Sequence, residues 1–153
     1  MSAGELDDEI HAKVVALSGA GDKLAHAGDY DGAVREYQAA WALLPGTKTS
    51  WEAATWLLAA IGDAHFLAGR FDKAANVLMS ALVADAPGAV GNPFIHLRLG
   101  QSLFELGNSD RRAMDELARA YMGAGRKIFA EEDPKYLAAL AKVMKPPSGQ
   151  SSF

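Results

Sequence analysis

Apolar and polar residues follow a helical period along this chain, most clearly between Gly28 and Pro45. That stretch opens with a Gly-Asp turn, continues as an apolar stripe and stops at the proline, which is the pattern of an amphipathic helix. A second stripe with the same period precedes the turn and consists of Leu17, Ala20, Gly21 and Leu24. The pattern therefore predicts a hairpin of two helices joined by a short turn.

The same pattern returns twice, with turns at Gly69 to Asp72 and at Gly107 to Asn108. Small residues recur at matching positions: Gly21, Gly62 and Gly100 on the first helices, and Ala33, Ala74 and Ala113 on the second helices. Small residues that face each other let two helices approach closely, so Tyr37, Leu78 and Leu117 are expected to fill the wider gap between hairpins. Because one hairpin cannot bury its apolar face alone, the three hairpins are expected to stack.

The three hairpins resemble the tetratricopeptide repeat, whose signature combines a bulky residue, a small pair, an aromatic residue and then Ala, aromatic, Ala and Pro. The resemblance covers about residues 14–121. It implies an all-α fold, a right-handed α-solenoid with repeats at about 14–47, 49–87 and 92–122 and a capping helix at 134–144. We expect residues 1–145 to form this single domain and residues 146–153 to be a disordered tail.

Two segments carry a narrower resemblance. Gly91 to Gln101 and Glu131 to Leu137 are similar to segments of small free-standing bacterial tetratricopeptide proteins, some of which are suspected immunity partners of polymorphic toxins. The family resemblance implies a role in binding other proteins.

Local signals predict where some helices begin and end. Ser2 and Glu5 have the spacing of a capping box, so the first helix is expected to start near Ala3. Gly123 and Gly125 are expected to kink or interrupt the second helix of the third hairpin.

The spacing of the turns predicts a longer third helix. The turns at Gly28 and Gly69 lie 41 residues apart, whereas the family period is about 34 residues. We assign the surplus to an N-terminal extension of the third helix over residues 51–56, which Thr49 or Ser50 would cap.

Charge is uneven along the chain, whose formal net charge is −4. Residues 1–45 carry eight acidic and three basic side chains, a net charge of −5, whereas residues 107–153 carry eight basic and six acidic ones, a net charge of +2. The acidic first repeat favours a basic partner, although acids at a helix start also complement the helix dipole. The sequence has no basic stripe interleaved with aromatic residues, so nucleic acid is not an expected partner.

The composition and the distribution of apolar residues exclude several kinds of site and of membrane segment. The chain contains no cysteine, which excludes disulfides, thiolate zinc sites and cysteine nucleophiles. Its N-terminus is acidic and lacks the apolar core of a secretory signal, and no apolar run approaches the ~20 residues that span a bilayer. A cytoplasmic location without a membrane partner is therefore expected.

The polar residues match no catalytic motif. The four histidines share no metal-binding spacing, and His65 and His96 occupy positions where bulky core residues are usual. The acidic clusters at residues 7–8 and 131–133 fall at predicted helix starts or in a surface loop. We therefore expect no enzymatic activity, no cofactor and no metal.

The predicted binding surface is the face of each first helix that the repeat core does not use, because tetratricopeptide proteins hold a peptide in the concave groove that these faces form. Steps of three and four residues give the predicted groove: Val15, Asp22, His26, Trp56, Asp63, Phe66, Phe94, Leu97, Gln101, Phe104 and Glu105. Aromatic anchors often dominate the energetics of such an interface. The alternative is that Phe66, Phe94 or Phe104 is covered by the capping helix or by the long first helix.

The charge of the groove predicts the ligand. Family members that clamp a C-terminal carboxylate use Lys and Asn at positions that hold Ser18, Asp22, Ala59 and Asp63 here. A free carboxylate would meet repulsion, so the expected ligand is a protein or peptide segment with apolar side chains and a Lys or Arg.

Three functions fit this surface. The first is a dedicated binder of one basic partner, such as an immunity protein. The second is a chaperone or adaptor that holds an extended segment of secreted proteins. The third is a homo-oligomeric scaffold, with a homodimer formed through Trp51 and the first helix.

Overall fold

In the computed structural model, which describes residues 6–107 and 110–145, the chain is all-α, as the sequence predicts. The described residues form no strand. Their α-helices are α1 Asp8–His26, α2 Tyr30–Ala42, α3 Glu52–Leu67, α4 Phe71–Val83, α5 Pro93–Leu106, α6 Asp110–Ala124 and α7 Pro134–Val143, and their two 3-10 helices are Lys48–Ser50 and Arg126–Phe129. The capping box of Ser2 and Glu5 and the predicted tail at 146–153 lie outside the described residues.

The first six α-helices pair into three hairpins, as predicted. The helix α1 packs against α2, α3 against α4, and α5 against α6. Each connection contains a glycine with positive φ, at Gly28, Gly69 and Gly107, a backbone conformation that residues with a Cβ atom rarely adopt. The turn of each hairpin therefore depends on its glycine.

The chain divides into two compact units, Met1–Val90 and Gly91–Phe153. The first unit contains α1 to α4, and the second contains α5 to α7. Core side chains of the first unit include Val14, Val34, Tyr37, Leu44, Leu57 and Ile61. Fully buried side chains of the second unit include Ile95, Leu97, Leu99, Leu117 and Leu140.

The close contact inside each hairpin pairs a glycine with a large side chain, which corrects the prediction that small residues face each other there. A Cβ atom on Gly62 would lie 2.5 Å from Leu78 Cδ2, and one on Gly21 would lie 2.5 Å from Tyr37 Cε1. Leu117 lies in the same way against Gly100. The three large residues thus fill the space beside the glycines of their own hairpins.

One predicted helix start needs correction, and one predicted interruption is confirmed. The helix α1 begins at Asp8 rather than near Ala3, and Asp7 caps it by accepting a hydrogen bond from the Glu9 amide at 3.0 Å. The helix α6 ends at Ala124, where Gly125 has a φ of 77° and interrupts the chain before the 3-10 helix Arg126–Phe129. Interruption at this glycine was one of the two predicted outcomes.

The predicted extension of the third helix is largely present. Residues 52–56 belong to α3. The N-cap residue is Trp51, whose backbone has a β conformation, and neither Thr49 nor Ser50 caps the helix. A 3-10 helix occupies Lys48–Ser50 instead. The surplus between the turns is therefore shared between the longer helix and the connection that precedes it.

Candidate functional site

The predicted groove residues of the first unit lie on α1 and α3, two helices that contact each other. Val15, Asp22 and His26 are exposed on α1. Val15 is 49 % exposed and Trp56 of α3 is 37 % exposed, so both are large apolar side chains that remain open to solvent. The surface therefore combines apolar area with a carboxylate.

The Asp22 carboxylate is held in place by α2. The Tyr37 hydroxyl donates a hydrogen bond to Asp22 Oδ1 at 2.6 Å. Burial of the phenol, and next this hydrogen bond to an anion, raise the pKa of Tyr37 well above its usual value. The hydroxyl therefore stays protonated and fixes the orientation of a carboxylate that is still exposed.

The remaining predicted positions of the first unit are less accessible. Asp63 and Phe66 are half-buried, and the Phe66 ring packs edge-on against Phe71 with 5.6 Å between centroids. Ser18 and Ala59, where a carboxylate clamp would have its polar side chains, are buried. The open part of the predicted groove in this unit thus consists of Val15, Asp22, His26 and Trp56.

In the second unit, α7 and the loop before it cover the predicted groove face of α5. Leu97 and Gln101 are 1 % and 0 % exposed, so the expectation that they face a partner does not hold. The Phe104 ring packs edge-on against Tyr136, 5.4 Å between centroids, as the alternative in the sequence allowed. Phe94 is half-buried beneath the Arg98 guanidinium, which lies 5.1 Å from the ring centroid.

The Glu105 carboxylate, also predicted for the groove, anchors α7 instead. Its Oε1 atom accepts a hydrogen bond from the Tyr136 hydroxyl at 2.7 Å and pairs with Lys135 Nζ at 2.5 Å. Burial alone would raise the pKa of Glu105, but the hydrogen bonds from Lys135 and Tyr136 outweigh it and lower that pKa. The ionised carboxylate therefore joins α5 to α7 within the second unit.

Two buried polar networks of the second unit are absent from the sequence predictions. Arg98 pairs with Glu132, whose Oε1 atom also accepts a hydrogen bond from Gln101 Nε2 at 2.8 Å. His96 contacts Glu116, which also accepts a hydrogen bond from Arg112 Nε at 2.8 Å. Sequence signals could not find these partners because 20 to 34 residues separate the groups that pair across elements. Each buried charge has an opposite partner, which suits a structural role.

A third polar junction lies within the first unit. Arg70 Nε donates to His65 Nδ1 at 3.0 Å, and Arg70 Nη2 pairs with Asp31 Oδ1 at 3.0 Å. Burial, and then the charges of Arg70 and Lys73, lower the pKa of His65. The imidazole accepts a hydrogen bond from a cation, so the geometry requires its neutral form.

Within residues 6–107 and 110–145, no group of three or more His, Cys, Asp or Glu side chains is arranged to hold a metal ion. None of the helices in these ranges combines the length and the apolar character that a membrane crossing requires.

Comparison with known proteins adds no family and no relative to the fold and the surface described above. The sequence matches no protein-family model and is not significantly similar to any curated protein. The fold and the site together define an all-α protein with three helix hairpins and an apolar, acidic surface on its first unit.

Proposed function

We propose that the protein is a non-enzymatic protein-binding module of the tetratricopeptide type. The repeated internal spacing of its hairpins supports this assignment. In each hairpin, the glycine that faces a large side chain precedes the turn glycine by seven residues, at Gly21, Gly62 and Gly100. A right-handed stack of the three hairpins, as in the family solenoid, is part of the proposal.

The proposed binding surface is the α1–α3 surface, defined as Val15, Asp22, His26 and Trp56. The observation that carries the proposal is the exposure of Val15 and Trp56, at 49 % and 37 %, on two helices that contact each other. Both residues stand 13 positions before their turn glycines, so they are equivalent positions of two repeats. Exposed apolar side chains at such positions gain free energy when a partner covers them.

Charge defines the class of partner. Asp22 is exposed on α1, the helix that also carries Val15, and residues 1–45 carry a net charge of −5. A segment with one or two apolar side chains and a nearby Lys or Arg would satisfy both features. In its finer form, the proposal is a cytoplasmic, immunity-like role in which the partner is a basic bacterial toxin domain.

The test begins with capture of partners from the native source by the wild-type protein and by Trp56→Ala. All partners that the wild type retains are purified, and their dissociation constants for both proteins are measured by calorimetry. We expect Trp56→Ala to weaken binding by more than tenfold, because truncation of a buried aromatic anchor at an interface commonly costs at least about 2 kcal/mol.

Val83→Ala is the matched control, since Val83 of α4 is 84 % exposed and lies outside the α1–α3 surface. Its affinity should stay within about twofold of the wild type, because it removes no proposed contact. Circular dichroism checks that both variants keep their helices. Equal affinities of Trp56→Ala and the wild type for every captured partner would overturn the proposed surface.

A further inference from the structure

A groove of about 770 Å³ lies in the second unit between the 3-10 helix Arg126–Phe129 and α7. Its walls are mostly apolar and include Phe129, Ala130, Leu137, Ala138 and Ala141. Its volume falls within the ~300–1,000 Å³ that is usual for ligand pockets. None of these residues belongs to the α1–α3 surface.

The groove exists because α7 has two apolar stripes. Tyr136 and Leu140 are buried and attach the helix to the rest of the unit. Leu137, Ala138 and Ala141 recur at the same helical spacing on a second stripe and line the groove. Ala138 and Ala141 are exposed. Two small residues on one stripe allow the backbone of another helix to approach closely.

The walls are fixed before any ligand arrives. The Tyr136 and Lys135 side chains hold α7 to Glu105, as described above. On the other side, Phe129 is 5 % exposed and its ring lies 6.4 Å from that of Tyr121. A preformed groove loses less conformational entropy on binding than one that must first be ordered.

The charge at the rim is positive. Arg126 and Lys127 line the groove, are exposed, and form no hydrogen bond or ion pair through their side chains within the part of the chain that the structure describes. The one acidic residue of the lining, Glu132, is already paired with Arg98 and accepts a hydrogen bond from Gln101. The two free cations are therefore available to an anionic ligand.

We infer that this groove, which we call the η–α7 groove after the 3-10 helix Arg126–Phe129 (η) and α7, binds an amphipathic helix of a partner protein whose apolar stripe is flanked by Asp or Glu. The alanine stripe and Leu137 would take the apolar side chains, and Arg126 and Lys127 would pair with the carboxylates. The groove takes an acidic ligand, whereas the ligand proposed for the α1–α3 surface is basic, and the inference does not depend on the function proposed for that surface.

The test uses the full chain and a fluorescein-labelled synthetic helix that carries Leu at helical spacing with Glu on both flanks. A second peptide has Gln in place of every Glu. Fluorescence anisotropy should show at least tenfold tighter binding of the Glu peptide at low salt. The double variant Arg126→Glu, Lys127→Glu should abolish that preference, whereas the matched variant Lys142→Glu, Lys145→Glu changes two cations outside the lining and should preserve it.

Two further variants separate the possible outcomes. Ala138→Trp should fill the groove and weaken both peptides by at least tenfold while circular dichroism stays unchanged. Trp56→Ala should leave both affinities unchanged, because it alters only the other surface. Equal binding of the two peptides, or no effect of the Arg126 and Lys127 substitutions, would overturn the inference. It would also be overturned by a homodimer in sedimentation experiments that Ala138→Trp dissociates, since a second copy would then occupy the groove.

Discussion

The hydroxyl of Ser18 is a buried polar atom without a partner among the described residues. A buried hydroxyl that has lost its water and gained no hydrogen bond destabilises the folded state. We expect Ser18→Ala to raise the free energy of unfolding by about 1 kcal/mol, because alanine also favours the helix. Urea denaturation measures this change.

Ser102→Ala is the control for that prediction, since both serines are buried within a long helix. The Ser102 hydroxyl donates to the Arg98 carbonyl at 2.7 Å, so its removal also deletes a satisfied hydrogen bond. It should therefore stabilise the protein less than Ser18→Ala does. A loss of stability in Ser18→Ala would show that its hydroxyl is satisfied after all.

The His65 junction makes stability depend on pH. The pKa of His65 is lowered in the folded state, chiefly by burial and next by Arg70 and Lys73, relative to about 6.5 in the unfolded chain. Between these two pKa values the unfolded state binds more protons, so the free energy of unfolding falls as pH falls below about 6.5. We expect the contribution of His65 to vanish in His65→Gln, whose side-chain oxygen accepts from Arg70 without titrating.

The measurement is the free energy of unfolding of the wild type and His65→Gln, determined in urea at intervals from about pH 7.5 to about pH 5. The wild-type curve should fall more steeply below about pH 6.5, because only the wild type carries this titrating group. Parallel curves would mean that His65 is not held in its neutral form. Carboxylates that titrate at lower pH affect both proteins equally and cancel in the difference.

At the scale of whole elements, the hairpins depend on glycines that admit a large neighbour. Gly62→Ala would place a Cβ atom 2.5 Å from Leu78 Cδ2 and 2.6 Å from Leu78 Cγ. The helices α3 and α4 must then shift, which should cost about 1–3 kcal/mol of unfolding free energy. Thermal and urea denaturation followed by circular dichroism would measure the loss.

Gly19→Ala provides the opposite expectation at a helical glycine of the same unit. Apart from the adjacent residues and the backbone of its own helix, no atom of the described residues lies within 4 Å of the position that its Cβ would take. Because alanine is the better helix former, Gly19→Ala should stabilise the protein by up to about 1 kcal/mol. If Gly62→Ala were equally stabilising, the hairpin contact would have room to spare and the close-approach argument would fail.

The elements themselves could be predicted from the sequence because their signals are local. The helical period predicts the hairpins, and α5 and α7 begin at Asn-Pro and Asp-Pro pairs, which are local signals of a helix start. The predictions were wrong where a contact between residues far apart in sequence determines which side chains meet. That Gly62 faces Leu78 cannot be derived from period alone, since spacing places a residue on a face but does not say which neighbour meets it.

The same limit explains the outcome for the predicted groove. The positions on α5 carry the same spacing as those on α1 and α3, but Gln101 is buried because Glu132 approaches it from the loop before α7. The sequence placed Glu132 in a solvated acidic cluster, and nothing local identifies Arg98 and Gln101 as its partners. The η–α7 groove was missed for a related reason, since it requires the 3-10 helix and α7 to be placed together.

For the molecule as a whole, the uneven charge should control how fast a partner arrives rather than how long it stays. Residues 1–45 carry a net charge of −5, so a basic partner is drawn toward the α1–α3 surface over a distance set by ionic screening. That distance shrinks from about 30 Å at 0.01 M salt to about 3 Å at 1 M. We therefore expect the association rate constant of a captured basic partner to fall by at least about tenfold across this range.

Trp56→Ala should have the complementary effect, because an apolar anchor acts only after contact. Its association rate constant should match the wild type within about twofold, and its dissociation rate constant should rise by at least about tenfold. Stopped-flow association and surface plasmon resonance dissociation measure the two constants separately. If Trp56→Ala slowed association while salt left it unchanged, the apolar residue would limit encounter and the acidic surface would have no role in recognition. If both constants were unaffected by either change, the partner would bind elsewhere on the molecule, and the η–α7 groove would be the next surface to vary.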